Sequence, residues 1–487
     1  MKQKTASVKL NMIMNMLLTM SNFIFPLITF PYVSRILLPV GTGKVTFATS
    51  VVSYFAMFVQ LGIPMYGIRA CAKVRDDKEE LSRIVHELLF INLIMAIIVY
   101  IVFGFSIMLI PKFRAELNLF LVIGSTILLN SLGVEWLYKA MEKYTYITIR
   151  SIIFKIISFI AMFLLIHEQK DYVLYGGITI FAASASNILN FINLRKIIYT
   201  KSVGKYNYKR HIKMVLVFFS MSIATTIYTN LDNVMLGFIK TDTDVGYYGA
   251  AVKIKNILLS IVTAASTVLL PRASYYVDKG EMDEFYRILR KTMHFVVVMA
   301  ISFTIYFIFF AKEGILFLSG KDYEGAILPM QVIMPTLLLI GITNVIGIQT
   351  LVPLGREKQV LLSEIAGAIT DLILNAILIP KYAATGAAIG TLIAEIVVLI
   401  WQLMSIRDIP SYIFKEVPWI KLIIAILIAS PLSVLIKFLD FNSFITLLIS
   451  AICYFGIYGI FLLITKDSIA MDIYNSVLRK LMNILVR

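Results

Sequence analysis

Long apolar segments recur from one end of this chain to the other, and they constrain its fold more than any other feature. A helix needs ~20 mostly apolar residues to cross the hydrocarbon core of a bilayer. Hydrophobic residues, without glycine, make up 59% of the chain, against roughly 45–50% with glycine in a soluble domain. The sequence therefore predicts an all-α integral membrane protein without a soluble domain of any size.

The chain contains about fourteen predicted spans, several of which include proline or glycine. Their bounds are residues 11–36, 44–67, 84–110, 117–138, 147–166, 172–194, 213–238, 246–270, 293–311, 326–353, 360–379, 384–404, 417–436 and 444–465.

Lysine and arginine give the chain a net charge of +16, but they punctuate the apolar segments instead of forming one patch. This pattern is typical of the positive-inside rule, and it argues against nucleic acid as a partner. The clearest basic clusters lie at residues 69–83 and 195–213, which we assign to the cytoplasm. An even number of spans then places both termini inside.

Short internal matches indicate a repeat. They pair Arg35 with Lys240, Gly41 with Gly246, Tyr172 with Tyr382 and Gly176 with Gly386. We predict two six-helix parallel repeats, residues 1–212 and 213–406, and two additional transmembrane helices with a cytoplasmic tail in residues 407–487. Transporters built from repeats bind their substrate at the interface between them.

Four predicted spans carry polar residues at the spacing that places them on one helical face. These stripes are Asn11, Asn15, Thr19 and Asn22 in span 1, Thr42, Thr46, Thr49 and Ser53 in span 2, Ser222, Thr225, Thr229 and Asp232 in span 7, and Lys253, Asn256, Ser260, Thr263 and Thr267 in span 8. One stripe alone is typical of hydrogen bonding between helices. Four stripes at corresponding places in both halves favour a polar central cavity.

Charged residues inside spans are costly, so they usually face a cavity or reach the interface. Lys253 lies on the polar face of span 8, whereas Lys255 lies about 200° around that helix beside apolar residues. Among the acids within or beside predicted spans, Asp232, Asp371 and Glu395 are candidates for ion coupling, because a carboxylate at depth can bind a proton or a sodium ion. The alternative is pairing with a lysine, which we favour for Glu364.

Other kinds of site find little support in the sequence. Cys71 and Cys453 match no metal or redox spacing, and "VGTGKVTF" at residues 40–47 lacks the pattern of a phosphate-binding loop. We therefore expect no cofactor, and we expect energy from an ion gradient or from the substrate gradient.

Longer segments resemble a known family. The segments that carry the resemblance are "YTNLDNVMLGFIKTDTDVGYYGAAVKIKNILLSIVTAASTVLLPRAS" (228–274), "LVPLGREKQVLLSEIAGAITDLILNAILIPKYAATGAAIGTLIAE" (351–395), "PYVSRILLPVGTGKVTFATS" and "LGIPMYGIRACAKVRD". They resemble bacterial polysaccharide or O-antigen flippases of the Wzx type, within the multidrug/oligosaccharidyl-lipid/polysaccharide (MOP) exporter superfamily, whose fold is that of the MATE transporters. The resemblance covers essentially the whole chain.

The resemblance implies a flippase of the bacterial plasma (inner) membrane, and not an enzyme. Its substrate would be a polyprenyl-pyrophosphate-linked oligosaccharide, carried from the inner to the outer leaflet by alternating access for a surface polymer such as O-antigen or capsule. Membrane lipids, H+ or Na+, a polysaccharide polymerase and glycosyltransferases are the expected partners. For binding of the sugar–pyrophosphate headgroup we predict Arg35, Arg69, Lys253, Asn22 and Asn256.

Two alternatives stay open. A multidrug exporter of the same fold would carry lipophilic cations, but the cationic stripe of span 8 argues against that cargo. An integral-membrane polysaccharide polymerase or glycosyltransferase usually needs a sizeable hydrophilic loop with acid/base groups, whereas the longest loops here are cytoplasmic and basic.

Overall fold

The computed structural model describes residues 8–407, 409–472 and 474–475, and every regular element in these ranges is a helix. The chain divides into two compact units, unit 1 (Met1–Gly246) and unit 2 (Tyr247–Arg487). The predicted cytoplasmic tail lies largely outside the described residues. The predicted repeat boundaries at residues 212 and 406 stay a prediction.

Unit 1 is built from long span helices joined by short ones. Its helices are α1 (Val8–Gln60), α2 (Ile63–Lys73), α3 (Lys78–Leu109), α4 (Pro111–Ala115), α5 (Leu117–Leu132), α6 (Glu135–Ala140), α7 (Tyr144–Leu165), α8 (Tyr172–Ile180), α9 (Ser186–Leu194) and α10 (Lys209–Ile239), followed by α11 (Asp242–Lys279), which continues into unit 2. A π-helical turn, Phe181–Ala185, joins α8 to α9.

Helix α1 is broken at Leu38, which has a φ of 58° and a ψ of 176°. Pro39 follows, and proline has no backbone N–H to donate to the helical ladder. The break separates two stretches that correspond to predicted span 1 and to most of predicted span 2.

Unit 2 contains the remaining helices. They are α12 (Met282–Phe309), α13 (Ala311–Ser319), α14 (Ile327–Ile333), α15 (Thr336–Asn344), α16 (Glu357–Ser405), α17 (Pro410–Ile413), α18 (Trp419–Val434) and α19 (Ser443–Ile464). Helix α16 is broken at Ala383, which has a φ of 49° and a ψ of −128°. This break falls between predicted spans 11 and 12.

Among the described residues, eleven helices are long and apolar enough to cross a membrane, and the bent pair Lys321–Ile333 and Thr336–Leu351 makes a twelfth candidate. Two of the eleven, Leu10–Lys73 and Glu357–Ser405, contain the breaks at Leu38 and Ala383. If each is divided at its break, the structure is compatible with the fourteen predicted spans. The protein is a multi-pass membrane protein.

The surface of the span helices is apolar. On α3, for example, Ile97, Ile101 and Phe105 are 56%, 55% and 60% exposed. Such large apolar side chains suit lipid tails as neighbours, whereas soluble proteins rarely expose contiguous apolar patches of this kind.

The last two span helices pack within unit 2, and buried tyrosines fix α19 against α12. The Tyr306 hydroxyl donates to the carbonyl of Leu447 at 2.9 Å, and the Tyr458 hydroxyl donates to the carbonyl of Val298 at 3.0 Å. A buried hydroxyl needs such a partner, so these two bonds specify how α19 lies on α12.

Candidate functional site

A cavity of about 540 Å³ lies in unit 1, lined by residues of α1, α2, α5 and α10, and half of these lining residues are polar. Thr49 and Ser53 of α1 and Ser222 and Thr225 of α10 line it. These residues belong to the stripes predicted on spans 2 and 7. The structure therefore brings two of the four stripes together around one cavity.

Three hydroxyls that line this cavity donate to carbonyls within their own helices. Ser53, Ser222 and Thr225 each donate to the carbonyl four residues earlier in their own helix, at 2.8, 3.1 and 3.2 Å. Each hydroxyl oxygen keeps lone pairs with which it can accept a further hydrogen bond. The cavity wall therefore suits a ligand that is rich in hydrogen-bond donors.

Sequence reasoning missed five further polar residues of this cavity, which are Gln60, Thr126, Asn130, Thr226 and Asn230. A second cavity of about 280 Å³ also contains Gln60 and Asn130 in its lining, and it extends to Glu135 and Lys139. Glu135 forms an ion pair with Lys139 at 2.9 Å, one turn along α6. The polar side chains that line the 540 Å³ cavity are all neutral, whereas the second cavity also contains this ion pair.

The position of Asn130 depends on contacts from the sixth span. The Ser184 hydroxyl donates to Oδ1 of Asn130 at 2.8 Å, and Nδ2 of Asn190 donates to the carbonyl of Gly133 at 2.6 Å. A Cβ at Gly133 would lie 2.6 Å from Cγ of Asn187, so only glycine fits there. Ser184, Asn187 and Asn190 are spaced by three residues, a signal that is visible in the sequence.

The predicted cations of unit 1 lie away from this cavity. Arg35 is exposed, and its guanidinium donates to the carbonyl of Pro31 in its own helix. Arg69 is exposed on α2 and lines a separate pocket of about 420 Å³ together with Lys73 and Arg210. Neither residue is part of the lining of the 540 Å³ cavity.

Lys253 and Lys255 lie on α11 within unit 2, and both are half-buried. Asn256, next to Lys253 on the predicted polar face, is exposed, whereas Leu258 and Val262 are buried. The apolar face of α11 is therefore the packed one. The side chain of Thr267, the last member of that stripe, lies outside the described residues.

Asn22, the predicted substrate contact of span 1, lies beside a lysine that sequence reasoning did not place in any site. Nζ of Lys155 donates to Oδ1 of Asn22 and to Oγ of Ser21, both at 2.6 Å. Lys155 is 7% exposed and lies near the middle of α7. It was visible in the sequence only as a cation inside an apolar segment.

The predicted acids of unit 2 lie on both sides of the break in α16. Asp371 and Asn375 are buried on the first stretch, and Glu395 is buried on the second. A Cβ at Gly390 would lie 2.4 Å from Oδ1 of Asn375 and 3.0 Å from Oδ1 of Asp371. The side-chain oxygens of Asn375 and Asp371 therefore pack against the backbone at Gly390, where a larger residue would not fit.

Next to this contact, the Thr391 hydroxyl lies 3.0 Å from the hydroxyl of Tyr248. The result is a buried, oxygen-rich cluster around Asp371. Asp232, the remaining predicted coupling residue, is buried on α10 in unit 1.

The chain matches the family described as polysaccharide biosynthesis protein over residues 8–277, which is more than half of its length. It belongs to this family. The MatE family also matches, over residues 218–377. The family assignment agrees with the resemblance found in the sequence.

A curated relative matches this chain over nearly the whole length of the relative. Over 413 residues the chain is 24% identical to a protein of Escherichia coli (strain K12) named "Putative O-antigen transporter". The match covers 84% of this chain and 99% of the relative.

Solved structures share the fold. The lipid II flippase MurJ in an inward closed conformation matches with a TM-score of 0.73 at 18% identity, covering 94% of this chain and 99% of that one. The MATE multidrug transporter DinF-BH matches with a TM-score of 0.55 at 16% identity, covering 84% and 97%. The predicted all-α MATE-like fold of the MOP superfamily is confirmed.

Proposed function

We propose that this protein is a flippase that carries a polyprenyl-pyrophosphate-linked oligosaccharide repeat unit from the inner to the outer leaflet of the bacterial plasma membrane. Transport occurs by alternating access and serves the synthesis of a surface polysaccharide such as O-antigen or capsule. The protein transports its substrate and does not change it chemically.

The 540 Å³ cavity of unit 1 is the observation that supports this proposal most directly. Three of its hydroxyls, those of Ser53, Ser222 and Thr225, already donate within their helices, so their oxygens are acceptors for the many O–H donors of a sugar. The membership of a polysaccharide biosynthesis family supports the same substrate class. A lipid tail does not need the cavity, because the bilayer solvates it.

The pyrophosphate needs cations in a region of low dielectric, where their attraction is strongest. We assign Arg35, Arg69 and Lys253 to this task at different stages of the transport cycle, with Asn22 and Asn256 as hydrogen-bonding contacts. Arg35 and Arg69 are exposed, so an arriving headgroup can reach them without a rearrangement of unit 1.

We assign coupling to Asp232, Asp371 and Glu395, with H+ or Na+ as the coupled ion. The oxygen-rich cluster around Asp371 supports this role, because hard cations and protons bind carboxylate and carbonyl oxygens. Asp232 and Glu395 are buried as well, and acids inside membrane spans commonly belong to ion pathways and proton relays.

The proposed setting follows from the charge pattern. Both termini lie in the cytoplasm, and the two six-helix repeats, residues 1–212 and 213–406, precede two additional helices in residues 407–487. Glycosyltransferases supply the substrate on the inner face, and a polysaccharide polymerase consumes it on the outer face.

Purified protein in liposomes tests the proposal. A fluorescent polyprenyl-pyrophosphate oligosaccharide is placed in both leaflets, and a membrane-impermeant quencher reports how much of it reaches the outer leaflet over time. Full quenching in liposomes with protein, against half quenching in protein-free liposomes, is the expected result. Equal quenching in both would refute the flippase.

The same liposomes distinguish the alternatives. Accumulation of a lipophilic cation such as ethidium, without movement of the glycan, would identify a multidrug exporter of the shared fold. New glycosidic bonds in the recovered lipid, detected by mass spectrometry, would identify a polymerase or glycosyltransferase.

A further inference from the structure

An apolar groove of about 400 Å³ runs between α1 and α7 on unit 1. Met20, Ile24 and Ile28 of α1 form one wall, and Ile152, Ile156 and Phe159 of α7 form the other. Its polar lining comes from Ser21 and Lys155. This groove shares no lining residue with the 540 Å³ cavity.

The cation of this groove has neutral partners. Nζ of Lys155 donates to Oγ of Ser21 and Oδ1 of Asn22, and in the described part of the chain no carboxylate lies within ion-pair distance of it. An ammonium inside a membrane span costs ~2.5–3.5 kcal/mol on insertion scales. An anion brought to the groove would offset much of this cost.

The depth of Lys155 restricts which anion this can be. It lies roughly 16 Å along α7 from Tyr144 at about 1.5 Å per residue, which is about half the ~30 Å hydrocarbon core. A resident phospholipid keeps its phosphate at the interface. A lipid phosphate reaches the middle of the membrane only while that lipid is crossing.

The groove also suits the part of the lipid that adjoins the phosphate. The apolar side chains line its length, and they are largely exposed: Met20, Ile24 and Ile156 are 52%, 45% and 54% exposed. A branched isoprenoid chain can pack between these isoleucines while its phosphate end reaches Lys155.

We infer that the groove between α1 and α7 binds the carrier lipid itself: the first isoprene units lie between the isoleucines, and Lys155 binds the pyrophosphate midway across the membrane. The Asn22 amide adds a hydrogen-bond donor to the same anion once Lys155 turns to it, whereas the Ser21 hydroxyl already donates to the carbonyl of Leu18. This inference rests on the proposed function, since it names where the transported lipid is held in transit.

Photocrosslinking in nanodiscs of zwitterionic phospholipid tests the inference. A photoreactive p-benzoylphenylalanine replaces Ile156 in the groove or, as the matched control, Ile153 on the same helix, which is 49% exposed but does not line the groove. The probe is radiolabelled undecaprenyl pyrophosphate without sugar. Labelling at position 156 should exceed labelling at position 153 at least fivefold.

The charge is tested in the same assay. Lys155→Met should reduce labelling at position 156 to the level of the control, while Lys155→Arg retains most of it. Excess phosphatidylglycerol should not compete. Equal labelling at both positions, full labelling with Lys155→Met, or competition by phosphatidylglycerol would each overturn the inference, the last by identifying a general anionic-lipid site.

The liposome assay separates this inference from the proposed function. Flipping by the wild-type protein without selective labelling of the groove rejects the carrier site and leaves the flippase intact. Selective, Lys155-dependent labelling without flipping supports the carrier site and rejects the flippase. A monodisperse elution profile of Lys155→Met in detergent shows that a loss of labelling does not come from misfolding.

Discussion

The carboxylate of Glu87 and Nε2 of His211 lie 2.6 Å apart, and both side chains are buried where α3 meets the beginning of α10. Nδ1 of His211 lies 2.7 Å from the Tyr66 hydroxyl. If Nε2 carries the proton and donates to Glu87, Nδ1 accepts from Tyr66, so a neutral imidazole satisfies both contacts. This contact fixes the loop before α10 to α3.

Replacing Glu87 by glutamine should destabilise unit 1. The carboxylate also accepts from the backbone N–H of Asn207 at 2.6 Å and from Nε of Arg210 at 2.8 Å. Losing its charge should cost about 1.5–3 kcal/mol, as for hydrogen bonds to charged groups. Thermal unfolding in detergent, followed by fluorescence-detected size exclusion, measures the change.

Glu80→Gln is the matched control for Glu87, because Glu80 also pairs with Arg210 but is only partly buried. Partly exposed ion pairs contribute little, so its unfolding temperature should change much less. An equal decrease in unfolding temperature for the two variants would show that the buried hydrogen bonds of Glu87 contribute no more to stability than the partly exposed pair of Glu80.

Lys253→Ala should reduce glycan flipping at least about tenfold, which corresponds to ~1.4 kcal/mol of lost attraction for the pyrophosphate. Lys253→Arg should keep part of the activity, because the positive charge remains. Lys255→Ala is the control and should be tolerated, since that side chain lies two residues away on α11 near the packed Leu258. Equal loss at positions 253 and 255 in the liposome assay would contradict the predicted polar face.

Asp371→Asn should impair flipping and remove its dependence on sodium or pH, while insertion into the membrane stays intact. The reason is that the amide can neither be protonated nor balance a cation in the oxygen-rich cluster. Flipping rates measured at several sodium concentrations and pH values check this. Glu364→Gln is the control, because Glu364 lies in the same stretch of α16 but is only half-buried, and it should keep the dependence of flipping on sodium or pH. An Asp371→Asn variant with the wild-type rate and the wild-type dependence would exclude Asp371 from coupling.

Asp467→Asn should lower the unfolding temperature of the protein at neutral pH. Burial raises the pKa of Asp467, but hydrogen bonds from His294 and from the backbone N–H groups of Ala470 and Ile469 lower it more, so its pKa lies below its ordinary value. A carboxylate with a lowered pKa stabilises the fold above the unfolded value of about 3.9, and this stabilisation is lost as the pH falls through the folded-state value.

The difference in stability between wild type and Asp467→Asn, about 1.5–3 kcal/mol from the lost charged hydrogen bonds, should therefore be complete at pH 7 and shrink in acid. Asp472→Asn serves as control, because the Asp472 carboxylate is exposed where it pairs with Lys291. A difference that does not change with pH would show that the charge of Asp467 is not the cause.

The sequence by itself determined the class and the span pattern of this protein. A span must satisfy its backbone hydrogen bonds internally and be largely apolar along its length. Each span can therefore be recognised from ~20 consecutive residues of the sequence. The stripes of spans 2 and 7 were readable for a similar reason, because helical periodicity alone places Thr49 with Ser53 and Ser222 with Thr225.

Helix breaks and contacts between helices were decided by the tertiary structure, because local sequence patterns do not specify them. The break at Ala383 depends on packing between the two stretches of α16, and nothing in the residue type of an alanine requires a φ of 49°. Lys155 reaches Asn22 across 133 residues of sequence. Hydrophobic periodicity describes one helix at a time, whereas a contact of this kind depends on which faces of two helices meet. The groove around Lys155 could therefore be identified as a candidate lipid site only from the folded chain.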